Sequence, residues 1–293
     1  MRSIAIIAAG AIGAGLLLGQ ASYRQEIEKW RKEREAGLVS DEGWLTVAGL
    51  YWLKEGDNRA GTASANEIVL PPGSAPARIG VFTFRNGSTT FTAETGVEVT
   101  LDGKPVRKAA LRSDAEGTPD VLRTGALSMW VIRRGDRYAI RLRDLNAPAR
   151  KQFQGLRWFD IDETWRIRAR WVPYNPPRKG SVLNIVGITE EALCPGYAAF
   201  EIAGKEYRLE PTQEGGRLFF VFRDATAGKE TYPAGRFLYA DPPEGGYVTL
   251  DFNRAYNPPC AFTAYATCPL PLPQNRLPVR IPAGEMNHPA AAH

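Results

Sequence analysis

From Gly43 to Phe252 the chain runs in short stretches of β-branched and aromatic residues, cut about every 8–12 positions by turn dipeptides. That spacing leaves little room for helices and points to antiparallel strands stacked as a sandwich or closed as a barrel. Phe82-Thr83-Phe84, Asn86-Gly87 and Thr89 to Thr92 form one predicted hairpin around the strongest two-residue turn signal. Val97 to Leu101, Asp102-Gly103 and Pro105-Val106 form a second, and Leu127 to Ile132, Gly135-Asp136 and Tyr138 to Leu142 a third. Leu145-Asn146-Ala147-Pro148 then breaks the pattern, which places a boundary near Pro148 to Gln154. The 29 glycines and 22 prolines fit so turn-rich a chain.

A second β-rich block follows. Its strands are expected at Thr164 to Val172, Ser181 to Ile188, Ala198 to Ile202, Glu206 to Leu209, Leu218 to Arg223, Arg236 to Tyr239 and Tyr247 to Phe252. Past Asn257 the prolines at 258, 259, 269, 271, 273, 278 and 282 bar a central strand, so this segment reads as an extended strap over the second block. The fold class is therefore mainly β, with an antiparallel sandwich followed by a second antiparallel domain, barrel or sandwich, under a Pro-rich strap.

One long helix is expected, from Ser22 to Glu35. Ser22 and Gln25 make a capping box, Tyr23, Ile27 and Trp30 share a face, and Gly37 stops the turn. Upstream, Met1-Arg2, the apolar run Ile4 to Leu18 and Gly19-Gln20-Ala21 have the layout of a signal peptide ending at Ala21. A retained membrane anchor is the alternative. The organisation expected is thus a signal peptide over 1–21, a helical segment over 22–42, a sandwich over 43–150, a second β domain with its strap over 151–286, and a disordered tail over 287–293. The protein is expected to be exported, periplasmic or secreted, with membrane contact only if the first segment is retained.

The histidines are His288 and His293, both at the end of the chain, which excludes histidine-based triads, zinc sites and proton shuttles from the predicted folded body. No metal or cofactor is expected. Lys and Arg number 37 against 32 acidic residues, a net charge of +5 interleaved along the chain, so no nucleic-acid partner is expected. In an oxidising compartment Cys260 and Cys268 are the natural disulfide pair, closing a short loop worth about 2–3 kcal/mol. The alternative is a reactive thiolate, and Cys194 reads as a half-buried apolar residue. Asp160, Asp162 and Glu163 lack the progression of a calcium loop and read as a capped strand end.

The densest polar segment supplies the candidate site: Asp224, Arg236, Asp251, Asn253, Arg254 and Tyr256. Arg236 or Arg254 would bind an anionic or carbonyl-bearing ligand under the strap, with Asp251 orienting the guanidinium or acting as a base and Asn253 and Tyr256 donating hydrogen bonds. In the competing structural role, Asp251 and an arginine form a buried pair and Asn253 satisfies the strap backbone.

Two resemblances add to this. Gly61-Thr62-Ala63-Ser64-Ala65-Asn66-Glu67-Ile68-Val69-Leu70, with Val99-Thr100-Leu101-Asp102-Gly103, resembles the forkhead-associated (FHA) domain, a β-sandwich reader of phosphothreonine. Thr62 stands where that family has its phosphate-binding arginine, Asp102 replaces its asparagine and Gly80 its histidine, so the resemblance implies the sandwich without phosphothreonine-peptide binding. The stretches Gly43 to Leu53, Phe222-Arg223-Asp224-Ala225-Thr226, Asp251 to Cys260, Cys268 to Pro271, Asn275 to Pro278 and Ala283-Gly284-Glu285 resemble the bacterial domain-of-unknown-function family 1684, for which no activity is assigned. The function expected is non-catalytic binding of a small molecule or an envelope protein. The alternative is a histidine-independent hydrolase or lyase using the Asp/Arg/Asn/Tyr cluster.

Overall fold

A computed structural model describes residues 10–288. Most of its regular structure is antiparallel β-sheet, as the turn spacing implies. The first block contains β1 (Val47–Trp52), β2 (Gly56–Gly61), β3 (Ile68–Val69), β4 (Gly80–Arg85), β5 (Ser88–Ala93) and β6 (Thr100–Leu101). It continues with β7 (Lys104–Pro105), β8 (Lys108–Leu111), β9 (Leu122–Thr124), β10 (Leu127–Arg134) and β11 (Arg137–Asp144). One sheet has the order β1-β11-β10-β9-β6-β7 and the other β3-β2-β4-β5-β8. Alternation along the strands sends Phe82, Phe91, Met129, Val131, Ile140 and Leu142 into the core between them. Asn86 and Gly87 both take positive φ, as the β4–β5 turn needs.

The second block contains β12 (Arg166–Leu183), β13 (Thr189–Ile202), β14 (Lys205–Leu209), β15 (Thr212–Glu214), β16 (Arg217–Phe222), β17 (Arg236–Ala240) and β18 (Tyr247–Asp251). The sheets β14-β13-β12-β18 and β15-β16-β17 enclose a core of Phe200, Leu209, Phe220, Phe222, Leu250 and Phe252. The unbroken apolar run of β16 is explained by burial on both faces. Phe220 and Phe222 enter that core, while Phe219 and Val221 enter a separate cluster with Leu38, Leu45, Cys260 and Phe262.

Several expectations are corrected. The helix α1 spans Gly10–Val39, so Ser22 lies in its interior and does not cap it, and Gly37 does not stop it. The buried Leu38 holds the last turn in the cluster beside Leu45, which outweighs the roughly 1 kcal/mol helical cost of a glycine. Of the signal peptide expected over 1–21, residues 1–9 lie outside the described residues, and the helix passes through Ala21 without a break. Among the described residues no helix is long and apolar enough to cross a membrane.

The strands expected at Thr164 to Val172 and Ser181 to Ile188 are joined. β12 continues through Pro173 to Pro177 and pairs with β13 as a long arm, with a register shift between Pro173 and Arg178. Beyond Arg170 it has left β18, and that free edge tolerates proline. At the arm's tip Ile188 lies close to the Gly135 turn of the sandwich. Of the segment expected as a tail, the Asn287 N–H donates to Glu230 O at 2.8 Å and half-buried His288 lies against Phe153 and Phe262, while 289–293 lie outside the described residues.

Candidate functional site

The six predicted site residues form separate knots. Asp224 and Arg236, each 1% exposed, pair at 3.2 Å. Arg236 also donates to the strap carbonyls of Ile281, at 3.0 Å, and Ala283, while Asp224 accepts from the Ile281 N–H at 2.8 Å. Burial lowers the pKa of Arg236 and Asp224 raises it, with burial the larger influence. This is the buried pair that the structural role assigned to Asp251. Asp251 instead accepts the Tyr23 hydroxyl at 2.8 Å, and Arg254 bridges to Asp251 and Glu26. Asn253 donates to Tyr23 Oη at 2.9 Å and to Asp162 O at 2.8 Å. The strap backbone is held by Asn275, which joins Glu210 and Val221, and by Asn257, which donates to Met286 O. Asp162 caps a short turn by accepting from the Thr164 N–H and hydroxyl, as the sequence suggested.

Tyr256 alone of the six reaches a cavity where the two blocks and α1 meet, about 470 Å³ in volume. One wall is aromatic: Phe219 stacks on Tyr239 at 4.7 Å and meets Phe237 edge-on at 4.8 Å, and Tyr256 packs edge-on against Phe237. The facing wall comes from the outer face of the sandwich, where Arg141 on β11 lies between Leu50 and Trp130. Arg141 is 5% exposed, its Nε has no hydrogen-bond partner, and its Nη2 reaches only Thr267 Oγ1 at 3.4 Å. Its guanidinium lies 5.2 Å from the centre of the Trp44 ring. Among the described residues no carboxylate forms an ion pair with it, and burial, reinforced by neighbouring Arg134, lowers its pKa to about 10. Even so lowered, it remains a cation at neutral pH.

Arg134 and Arg34 complete the basic side. Arg134 bonds Thr267 and pairs with Asp114 at 2.9 Å. Arg34 lies over the Tyr256 ring at 4.7 Å and is 3.4 Å from the fully buried Glu285. Desolvation raises the Glu285 pKa to about 7 against the lowering influence of Arg34. Glu190, Glu214, Phe219 and Pro269 line the side shared with a second cavity of about 320 Å³, which has apolar walls at Val182, Leu193, Val221, Leu270 and Leu272. A third, polar hollow contains Arg166, Arg168 and Arg217 with Asp241 and Glu244, and takes in Asp251 and Arg254.

The expected Cys260–Cys268 disulfide is absent from the structure, where both cysteines are free and buried. They are neighbours nonetheless: the Cys260 N–H donates to Cys268 Sγ at 3.2 Å, and Cys268 also lines the aromatic cavity. Cys194, expected to be half-buried, is buried, and burial raises its pKa to about 11. In the sandwich, Thr62 and Asn66 bond loop carbonyls, and Asp102 occupies a turn at φ 48°.

Sequence reasoning missed Arg141, Arg134 and Arg34. In Arg137-Tyr138-Ala139-Ile140-Arg141-Leu142-Arg143 the arginines alternate with core residues and read as a solvent face. The available signal was the Trp130 and Ile132 of the paired strand, since an outer face carrying large apolar residues is a covered face.

The molecule is thus a mainly β protein in which a two-sheet sandwich and a second antiparallel body border an open cavity lined by arginines and aromatic rings. Residues 151–286 match the model of a family described as Protein of unknown function (DUF1684), which supports that family for the second block and leaves Gly43 to Leu53 outside the match. No curated protein matches. Among solved structures, the uncharacterized protein from gene locus rrnAC0354 of Haloarcula marismortui is 32% identical, with 47% of this chain and 78% of that one covered and a TM-score of 0.40. An FHA domain studied for phosphothreonine-dependent interactions is 19% identical over 32% of this chain and 92% of its own, with a TM-score of 0.23. The FhaA FHA domain complexed with the intracellular domain of Rv3910 has the same identity and TM-score, with 97% of its length covered.

Proposed function

We propose that this protein binds, without chemical conversion, a small molecule that carries an anionic group on an apolar or aromatic body, and that the cavity between the two blocks is its site. The observation that carries this is Arg141, a desolvated guanidinium with no ion-pair partner among the described residues, facing an aromatic wall. Burying an unpaired cation costs several kcal/mol, a cost that an arriving anion offsets by supplying charge-assisted hydrogen bonds. Asp224, Asp251 and Asn253 are engaged in internal bonds, which favours binding over a hydrolase or lyase built on them. The chain is further proposed to be exported, on the strength of Met1-Arg2, the apolar run to Leu18 and Gly19-Gln20-Ala21.

The test is a thermal-shift and tryptophan-fluorescence titration with benzoate, phenyl phosphate and octanoate, on the wild-type protein and Arg141→Met. At least one anion should raise the melting temperature and change the emission of the wild type while leaving Arg141→Met unaffected. Equal responses from both proteins, or none from the wild type, would overturn the proposal.

A further inference from the structure

The two cavities that share Phe219 differ in character, and the difference indicates how a ligand would lie. On the Arg141 side the lining carries Arg34, Arg134 and Arg141 against two glutamates, Glu190 and Glu214, that it shares with the second cavity. Past Phe219 the walls are Val182, Leu193, Val221, Leu270 and Leu272, and the charged residues are all acidic: Glu190, Glu191, Glu210 and Glu214. Glu210 accepts from Tyr174 and Gln274, and Glu214 accepts from Tyr239, so each has a donor within the protein. The Arg141 chamber accepts a negative group and the chamber beyond Phe219 rejects one, while its apolar walls accept hydrocarbon.

Resting on the anion-binding role of Arg141, we propose that the ligand is a monoanionic amphiphile with a flexible acyl-type tail, its head at Arg141 and its tail past Phe219 into the second cavity. The roof of that second cavity is the β12–β13 arm, through Val182 and Glu190 to Leu193, and its floor is the strap at Pro269, Leu270 and Leu272. Arm and strap are joined by backbone hydrogen bonds, Ile185 N–H to Cys268 O at 2.9 Å and Leu270 N–H to Leu183 O at 2.8 Å, so the tail chamber is held along its length. A rigid aromatic acid would fill the first chamber only. A flexible chain can bend around Phe219 and desolvate both.

Calorimetric titration of the full-length protein with butyrate, dodecanoate and dodecanedioate separates these possibilities. Dodecanoate should bind at least about a hundredfold more tightly than butyrate, because each fully buried methylene contributes about fourfold. Dodecanedioate should bind at least about tenfold more weakly than dodecanoate, since its second carboxylate would enter the acidic chamber. Leu193→Trp, at a position already 44% exposed and therefore tolerant of change, should bring dodecanoate down to the butyrate affinity. Equal affinity for butyrate and dodecanoate, both lost in Arg141→Met, would overturn the tail and leave the anion site standing. Dodecanedioate binding as tightly as dodecanoate, or an unchanged Leu193→Trp, would overturn the orientation. Binding of no carboxylate, or binding unaffected by Arg141→Met, would remove the anion site itself and the tail with it.

Discussion

Arg236 Nη2 lies 3.2 Å from Asp224 Oδ1, and neither side chain is more than 1% exposed. Its Nη1 and Nη2 also donate to the carbonyls of Ala283 and Ile281, so the pair holds the strap against the second block. Asp224→Ala would leave a buried cation without its counter-charge and should destabilise the protein by about 3–5 kcal/mol. Urea denaturation measures this directly. A loss below about 1 kcal/mol would mean that the strap is held elsewhere.

Replacing Arg141 should have the opposite sign. Its charge is buried without a counter-ion among the described residues, so Arg141→Met should stabilise the ligand-free protein by about 1 kcal/mol while abolishing anion binding. Paired melting and titration experiments read both effects. A destabilised variant would instead identify Arg141 as a structural link to Trp44 and Thr267.

Glu285 gives the stability a pH dependence. Its carboxyl is raised from 4.5 to about 7 by burial. Below the unfolded value it is protonated in both states. Between the two values the folded protein keeps a proton that the unfolded chain has released, so stability falls as pH rises through this window and levels off above about 7. The contribution lost is on the order of 3 kcal/mol. Glu285→Gln should flatten that part of the profile, and parallel profiles for variant and wild type would show that Glu285 does not titrate there.

The cysteines should behave as three buried thiols. Alkylation without reductant should label all three after denaturation and proceed slowly on the native protein, because each side chain is buried. Mass spectrometry counts the labels. A single label after denaturation would mean that Cys260 and Cys268 are bridged.

The sandwich was legible because its signals are local. Asn86-Gly87, Asp102-Gly103 and Gly135 occupy the turns that their dipeptides announce. The strap was legible for the same reason, since its prolines exclude a central strand whatever they pack on. The β12–β13 arm was hidden because Pro173 to Pro177 reads as a break, and only the departure of β18 after Arg170 makes those prolines tolerable. The cavity was hidden more deeply. Arg34, Arg141 and Tyr239 come from a helix, a sandwich strand and the second block, and no sequence spacing records that a strap covers the outer face of β11. The polar residues clustered in sequence at 251–256 drew notice for their density, and the structure uses most of them to tie backbone and helix together.

The helix that begins the fold closes against residues near its end: Tyr23 meets Asp251 and Arg34 meets Glu285, while Trp30 packs on Trp158 between the two blocks. During synthesis, therefore, the seat of α1 stays incomplete until nearly the whole chain has left the ribosome. The sandwich can collapse on its own hairpins while translation continues, but the second block must wait for its strap. Completion of the native state is in this sense a post-translational event, and a chain truncated before Ile281 would lose the carbonyls on which Arg236 depends as well as the carboxylate that faces Arg34.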